Sequence, residues 1–383
     1  MRGVRAVVVG AGAWGLPAAA ELVRRGHDVI LVDVHGPANA YGSSSGASRL
    51  WRLSHPDQVR VRLAQRAVAA WRRLESRCDE QLLLRRGLLW RDAGSGGLVV
   101  AALSAEGVAH TVVDAGDVAR FLPGLRATGV DAVWQEDAGP VLAERALAVQ
   151  LAAFKAGGGA VATGRRVVDV EPGPDGVVAR AEDGSRFSAD VLVLAPGPGA
   201  GPLLSRLGVE LALEPVLEQV TYLTGRPGWL DLACWYEGEH DGRPGLYAMP
   251  TPGLGYKVGV DRPLRVLRPD DLDRTPDAAI EAAIARRVAE DLAGPGSLVE
   301  PTPAGSQVCS WTDSPDGRFV LDRLLDGRVV LACGDSGEGF KFSALMGELL
   351  ADLAEGAAPD EDVASFGLSR FSAGAASRPA LGR

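Results

Sequence analysis

The apolar positions of the chain fall into short buried runs interrupted by glycine-rich turns, and the first run sets the pattern. Residues 4–9 are valine-rich and apolar apart from Arg5, as expected of a parallel strand covered on both faces. The run breaks at Gly10-Ala-Gly12-Ala13-Trp14-Gly15, where a helix is predicted to open and to continue to Gly26. A second run, residues 29–32, then closes on Asp33. Gly10 allows the tight turn, Gly12 lets a pyrophosphate approach the backbone, and Gly15 lets helix and strand pack closely. The helix start supplies free N–H groups and a partial positive charge to phosphates. Asp33, about 20 residues on, is placed to accept from a ribose hydroxyl. Strand, loop, helix, second strand and terminal acid in this order predict a dinucleotide-binding unit rather than a chance glycine-rich turn.

Residues 36–48 contain Gly42-Ser43-Ser44-Ser45-Gly46-Ala-Ser48, small enough to lie as a loop against something flat. Arg49 and Arg52 follow at once and flank Leu50 and Trp51, which implies an ordered strand or turn. From Pro56 onward Leu63, Ala67, Ala70, Trp71 and Leu74 recur at helical spacing. A strand at 87–90 and a helix at 97–106 lead away from the nucleotide unit. The chain returns near Gly139 with a helix to about Lys155. Short strands follow at 160–163, 166–171, 176–181 and 186–189, two of them joined by the turn Pro172-Gly-Pro-Asp-Gly176. Residues 190–195 read as a buried strand running into Gly197 and Gly199. A helix is predicted over 277–293, with Thr275 as cap, Pro276 in the first turn, Gly294 as stop and Ile280, Ile284, Val288 and Leu292 as its apolar stripe.

The last third repeats the opening. Residues 327–334 form a buried strand that enters Asp335-Ser-Gly337-Glu-Gly339-Phe340-Lys341-Phe-Ser343 and then a helix through Leu353. A nicotinamide enzyme has no need of this second unit. A flavin enzyme does, because a helix start near the pyrimidine end of the ring stabilises negative charge there on reduction.

Composition narrows the field. A chain of 383 residues, 46% apolar, is long for one domain and ample for two cores. A net charge of −9 argues against nucleic-acid binding and for a cytoplasmic protein. No run of about 18 uninterrupted apolar residues occurs, and the early strand leaves no room for a signal peptide. Cys78, Cys234, Cys309 and Cys333 are far apart and lack metal-ligand spacing, so neither a disulfide framework nor a metal site is expected.

With the glycine loop, Gly42-Ser-Ser through Arg49, the Cys309 segment and Gly337-Glu-Gly-Phe-Lys-Phe-Ser343 in place, the chain resembles the FAD-dependent amino-acid oxidase superfamily, in particular its monomeric sarcosine oxidase and N-methyltryptophan oxidase branch. The resemblance covers nearly the whole chain. It implies an α/β, two-domain flavoprotein: a discontinuous Rossmann-type FAD domain (1–80, 140–214 and 304–383) and a substrate domain (81–139 and 215–303) on a mixed or antiparallel sheet. FAD would be held by Gly10, Gly12, Ala13, Trp14, Gly15, Asp33, Ser43, Ser44, Arg49, Val167, Gly337, Gly339, Phe340 and Lys341, and attached through Cys309.

Taken alone, a strand cysteine such as Cys309 is most often a small buried hydrophobe, and Cys333 competes for any covalent role. The resemblance assigns to Cys309 a thioether to the flavin 8α-methyl. Lys257 alternates with Leu254, Tyr256, Val258 and Val260, sharing its face with Gly255 and Gly259, which leaves space for a ligand or a flat ring. A solvated lysine is the plain alternative; the resemblance implies that Lys257 activates oxygen. It also implies that Arg52 and Lys341 bind a substrate carboxylate and that Tyr247 lines the pocket. Three departures from the family stand out: Asp261 where sarcosine oxidases have histidine, Trp311 where they have tyrosine, and Ser45 where histidine is frequent. No histidine stands out as a substitute base. The expected reaction is oxidation of a secondary, N-methyl or cyclic amino acid to an imine with O2 as acceptor, by a monomer with only small-molecule partners. A dehydrogenase with another acceptor and a decayed flavin-binding protein are the alternatives.

Overall fold

The computed structural model describes residues 3–173, 176–225, 228–294 and 301–372. In chain order the described elements begin with β1 (Arg5–Val9), α1 (Gly15–Arg24), β2 (Asp28–Asp33), β3 (Ser48–Trp51), α2 (Gln58–Cys78), β4 (Leu88–Arg91), α3 (Gly96–Ala105), β5 (Thr111–Val113), β6 (Ala132–Gln135) and β7 (Gly139–Leu142). Next come α4 (Ala143–Ala156), β8 (Ala160–Thr163), β9 (Val167–Gly173), β10 (Gly176–Ala181), β11 (Arg186–Ala189), β12 (Val191–Leu194), α5 (Ala200–Arg206), β13 (Glu214–Thr224), β14 (Cys234–Glu237) and β15 (Leu246–Thr251). The remainder holds β16 (Gly255–Val260), β17 (Arg265–Val266), α6 (Ala278–Asp291), β18 (Thr302–Asp313), β19 (Val320–Leu324), β20 (Val329–Cys333) and α7 (Ser343–Ala354).

Two sheets carry the α/β architecture. The first runs β19-β20-β12-β1-β2-β8, parallel except for β19. Its central strands are apolar on both faces because α1, α2 and α7 cover one side and β9–β11 with α5 the other. The chain leaves β1 toward β2 on one side and returns in β12 on the other, so the glycine loop after β1 sits at the crevice where strand order reverses. The second sheet runs β17-β13-β16-β15-β14-β4-β6-β5, with β18 along the free side of β13. Two buried indoles tie α1 and α2 to the turn before α7: Trp14 Nε1 donates to Gly339 O at 3.0 Å and Trp71 Nε1 to Lys341 O at 2.7 Å. That turn is therefore fixed from both directions.

Two expectations change. The boundary at 304 falls inside β18, which pairs with β13 from Thr302 to Asp313, so the sheet of the second region continues through Cys309. Helix α6 is capped by Asp277, whose carboxylate accepts from Ala279 N at 2.7 Å; Thr275 and Pro276 precede it, and Gly294 donates to Gly124 O instead of stopping the helix. Asp277 wins because its own N–H is already held by Gln219 Oε1 at 2.6 Å, which fixes it at the helix mouth. The middle of the turn expected at Pro172–Gly176 lies outside the described residues. No helix among the described residues is long and apolar enough to cross a membrane.

Candidate active site

The glycine loop has the shape its spacing implies. Gly10 has φ +101°, and a Cβ there would lie 2.1 Å from Ala195 O. A Cβ at Gly15 would lie 1.9 Å from Gly10 O, so strand and helix meet at contact distance. At Gly12 it would lie 2.9 Å from Ser44 Oγ, which accepts from Ala13 N at 2.8 Å. Asp33 Oδ2 accepts from Ala11 N at 2.8 Å, and Oδ1 from His35 N and Gly36 N at 2.7 Å each. Asp33 thus braces the loop while its carboxylate lines a cavity with Gly10–Trp14, Ser43 and Ser44. This cradle of small residues and backbone N–H groups fits a dinucleotide. Val167 is buried at the start of β9 in the core and is absent from the cavity lining.

A second cavity adjoins the first, sharing Ser43, Asp335, Gly339 and Phe340 with it. Arg49 spans the border: it donates to Ser48 O and Ser43 O at 2.9 and 3.0 Å, and its guanidinium lies 5.8 Å from the Phe340 ring. At one end of this cavity Arg52, Tyr236, Glu338 and Lys341 converge. Arg52 lies over Trp90 at 4.5 Å, with Tyr236 stacked on that indole at 3.7 Å. Its Nη2 is 3.5 Å from Glu338 Oε1, and Arg60 Nη1 is 3.1 Å from Glu338 Oε2. Lys341 Nζ donates to Glu338 O at 3.3 Å. Burial alone would raise the Glu338 carboxyl, but Lys341, Arg60 and Arg52 hold it well below the ordinary range. His55 is fully buried beside them, 3.8 Å from Glu338 Oε1; burial and Arg52 keep it neutral. Burial, with Arg52 and Arg60, lowers Lys341 to about 7.

The other end is built across strands. Glu218 on β13 stands opposite Cys309 on β18, and both line the cavity with Tyr247, Asp261 and Trp311. Tyr247 Oη donates to Glu218 Oε2 at 3.0 Å, while Glu218 Oε1 is buried without a hydrogen-bond partner among the described residues. Burial pushes the Glu218 carboxyl up to about 8, against Tyr247 and Lys257. Burial also raises the Cys309 thiol, with Arg49 opposing. Lys257 is 1% exposed, donates to Ser48 O at 2.8 Å, and is lowered to about 7 by burial and by Arg49.

The glycines flanking Lys257 do not leave space for a ligand. A Cβ at Gly259 would lie 2.3 Å from Tyr247 Cζ, and one at Gly255 2.3 Å from Leu223 O. The gap is filled by the Tyr247 ring and by neighbouring backbone, and Lys257 is buried just outside the cavity lining. Structure thus brings Arg49, Arg52, Tyr247, Asp261, Cys309, Trp311 and Lys341 to one cavity. It adds Glu218, Tyr236 and Glu338, which sequence reasoning missed. Glu338 was within reach, since it sits in the quoted Gly337-Glu-Gly339 loop; Glu218 carries no local signal.

A family model described as FAD dependent oxidoreductase matches residues 5–353. Monomeric sarcosine oxidase of Bacillus sp. strain B-0618 is 27% identical, over 95% of this chain and 95% of its own. N-methyl-L-tryptophan oxidase of Salmonella newport strain SL254 is also 27% identical, over 96% of this chain and 98% of its own. Among solved structures, the open form of NikD, an unusual amino acid oxidase essential for nikkomycin biosynthesis, matches with a TM-score of 0.80 at 25% identity, covering 95% of this chain and 97% of that one.

Proposed function

We infer that this chain, which belongs to the FAD dependent oxidoreductase family, is an FAD-dependent oxidase of an N-methyl, secondary or cyclic amino acid. Bound FAD supplies the acceptor for the hydride that leaves the carbon beside nitrogen, and O2 takes up the electrons to give H2O2. The remaining work falls to side chains of the chain itself. The glycine loop, Asp33, Ser43 and Ser44 would hold the dinucleotide, and Arg49 with Phe340 marks the border between that cradle and the substrate cavity. Arg52 and Lys341 bind the carboxylate, placing the carbon to be oxidised at that border. Trp311 and Tyr247 favour a ring-bearing or N-substituted substrate. Lys257 carries the charge that assists O2 reduction. One chain supplies every group named, so a monomer suffices, and the protein works in the cytoplasm.

The observation that carries this reading is the pair of buried cationic side chains, Arg52 and Lys341, in the lining of a cavity that opens onto the dinucleotide cradle. Purified protein should be yellow, and anaerobic mixing with cyclic or N-methyl amino acids should bleach it where the corresponding decarboxylated amines do not. Equal bleaching by the amines would refute the carboxylate role. Attachment through Cys309 is tested separately: acid-precipitated wild type should keep its colour, and Cys309→Ala should release flavin to the supernatant.

A further inference from the structure

We propose that Glu218 is the group that receives the substrate's cationic nitrogen and takes its proton before oxidation, a role that rests on the amino-acid oxidase reading above. Glu218 is 5% exposed and lines the cavity from β13. One carboxyl oxygen is held by the Tyr247 hydroxyl, which leaves Oε1 as a buried acceptor with no partner among the described residues. A buried polar atom without a partner is costly. A ligand N–H entering the cavity is the natural partner.

The charge layout fixes the polarity of that ligand. Arg52, Arg60 and Lys341 surround Glu338 at the other end, so a zwitterion enters carboxylate-first toward them and leaves its nitrogen for the Glu218 end. The charged and titratable groups facing Glu218 are Tyr247 from β15, Lys257 from β16, Asp261 just beyond it, Arg49 from β3 and Cys309 from β18. Lys257 and Arg49 favour the ionised carboxyl; Asp261 opposes it. With burial these leave Glu218 at about 8. An acid of ordinary strength would leave proton transfer from an ammonium steeply uphill, and a buried carboxyl raised as Glu218 is lowers that cost. In that step one N–H bond of the ammonium breaks, an O–H bond forms at Glu218, and ammonium plus carboxylate become amine plus carboxylic acid. The lone pair so freed is what oxidation of the adjacent carbon requires.

Two probes that cannot be oxidised at the α-carbon separate this role from the carboxylate role. 2-Aminoisobutyrate carries an ammonium where its isostere 2,2-dimethylpropanoate carries a methyl. Both are titrated into the holoenzyme and read by the shift of the flavin visible spectrum. Wild type should favour the amino acid, and the ratio of the two affinities should rise from pH 7 to pH 9 as Glu218 ionises; loss of charge on Lys341 affects both probes alike and cancels. Glu218→Gln keeps the Tyr247 hydrogen bond but cannot take a proton, and should cut the ratio about tenfold and flatten its pH dependence. Glu218→Asp should restore part of it. An unchanged ratio in Glu218→Gln overturns the assignment of Glu218 alone, as does an equal loss for both probes, which would mark a structural role. Arg52→Ala should weaken both probes together. If neither probe perturbs wild type and no amino acid reduces it, the amino-acid oxidase reading fails and this proposal falls with it.

Discussion

Glu338 and Glu218 are 6% and 5% exposed and line the same cavity, yet one carboxyl is held well below the ordinary range and the other is raised to about 8. Burial acts on both in the same sense. The difference lies in the partners: Glu338 has Arg52, Arg60 and Lys341 around it, whereas Glu218 has one phenol, a lysine just outside the cavity and the weaker pull of Arg49, with Asp261 against it. Desolvation of a carboxylate is overcome only when several cations are brought into the same dry volume. One end therefore gathers cations around its carboxylate and the other holds a carboxyl that burial keeps protonated at neutral pH, the contrast on which the proposed orientation of an amino acid rests.

The comparison is broken most severely at the crowded end. Glu338→Gln leaves Arg52, Arg60 and Lys341 facing one another and should destabilise the fold by about 3–5 kcal/mol at pH 7. Because the folded carboxyl is the stronger acid, its contribution is present above the unfolded value of 4.5 and lost as pH falls through the folded one. The gap from wild type should therefore narrow in acid. Glu218→Gln should do the reverse. Wild type keeps that proton up to about 8 when folded and releases it near 4.5 when unfolded, so it loses stability across that window. At roughly 1.4 kcal/mol per unit, the variant should gain about 2–5 kcal/mol at pH 8 and nothing at pH 4. Denaturant titrations at the two pH values decide it; shifts of the same sign in both variants would mean that the two ends do not differ.

Arg52→Ala tests the same end by function. Loss of a buried charged partner should raise KM for the amino acid about 10²–10³-fold with a smaller change in kcat. A KM within a factor of a few of wild type would place the carboxylate elsewhere.

The proposed oxygen role of Lys257 gives a further test. Lys257→Met should slow reoxidation by O2 about 10²-fold while reduction by substrate changes little. Since Lys257 is lowered to about 7, its charged form is lost as pH rises past that value, and the wild-type O2 step should slow in the same window. Stopped-flow traces of the two half-reactions separate these effects, and equal slowing of both would make Lys257 a structural residue.

Much of the first region was legible because its information is local. Glycine spacing, the strand before it and Asp33 after it lie within one short stretch, and sterics at Gly10 and Gly15 leave little choice of backbone. In the second cavity, Arg52, Tyr247 and Lys341 were expected only through the resemblance, and their meeting in one lining depends on long-range packing. Glu218 is one of 49 acidic residues, and nothing in Pro215-Val-Leu-Glu218-Gln-Val marks it as buried. Its burial follows from β13 being sandwiched between β16 and β18, strands roughly 40 and 90 residues away in sequence, pairings that no short-range pattern encodes. His55 was passed over for the same reason: its neighbours Arg52 and Glu338 meet only when the turn before α7 docks on α2. Gly259 misled, since an empty position beside Lys257 in sequence is filled in space by Tyr247.

The gentlest way to sharpen the comparison is Tyr247→Phe, which alters the Glu218 end without adding or removing a formal charge. The hydroxyl donates to Glu218 Oε2 and favours the ionised carboxyl, so removing it should raise Glu218 further above about 8. A hydrogen bond of this kind contributes about 0.5–1.5 kcal/mol, equivalent to at most about one pKa unit. The ring remains to fill the gap over Gly259, so packing beside Lys257 is kept. The preference for 2-aminoisobutyrate over 2,2-dimethylpropanoate should then begin to rise at higher pH than in wild type and fall severalfold at pH 8, with the two affinities converging with wild type once Glu218 is ionised in both. Arg52, Glu338 and Lys341 are untouched, so binding of 2,2-dimethylpropanoate should not move. A shift of the onset to lower pH would mean that the phenol stabilises the neutral carboxyl instead, and that the proton on Glu218 is held by something other than burial.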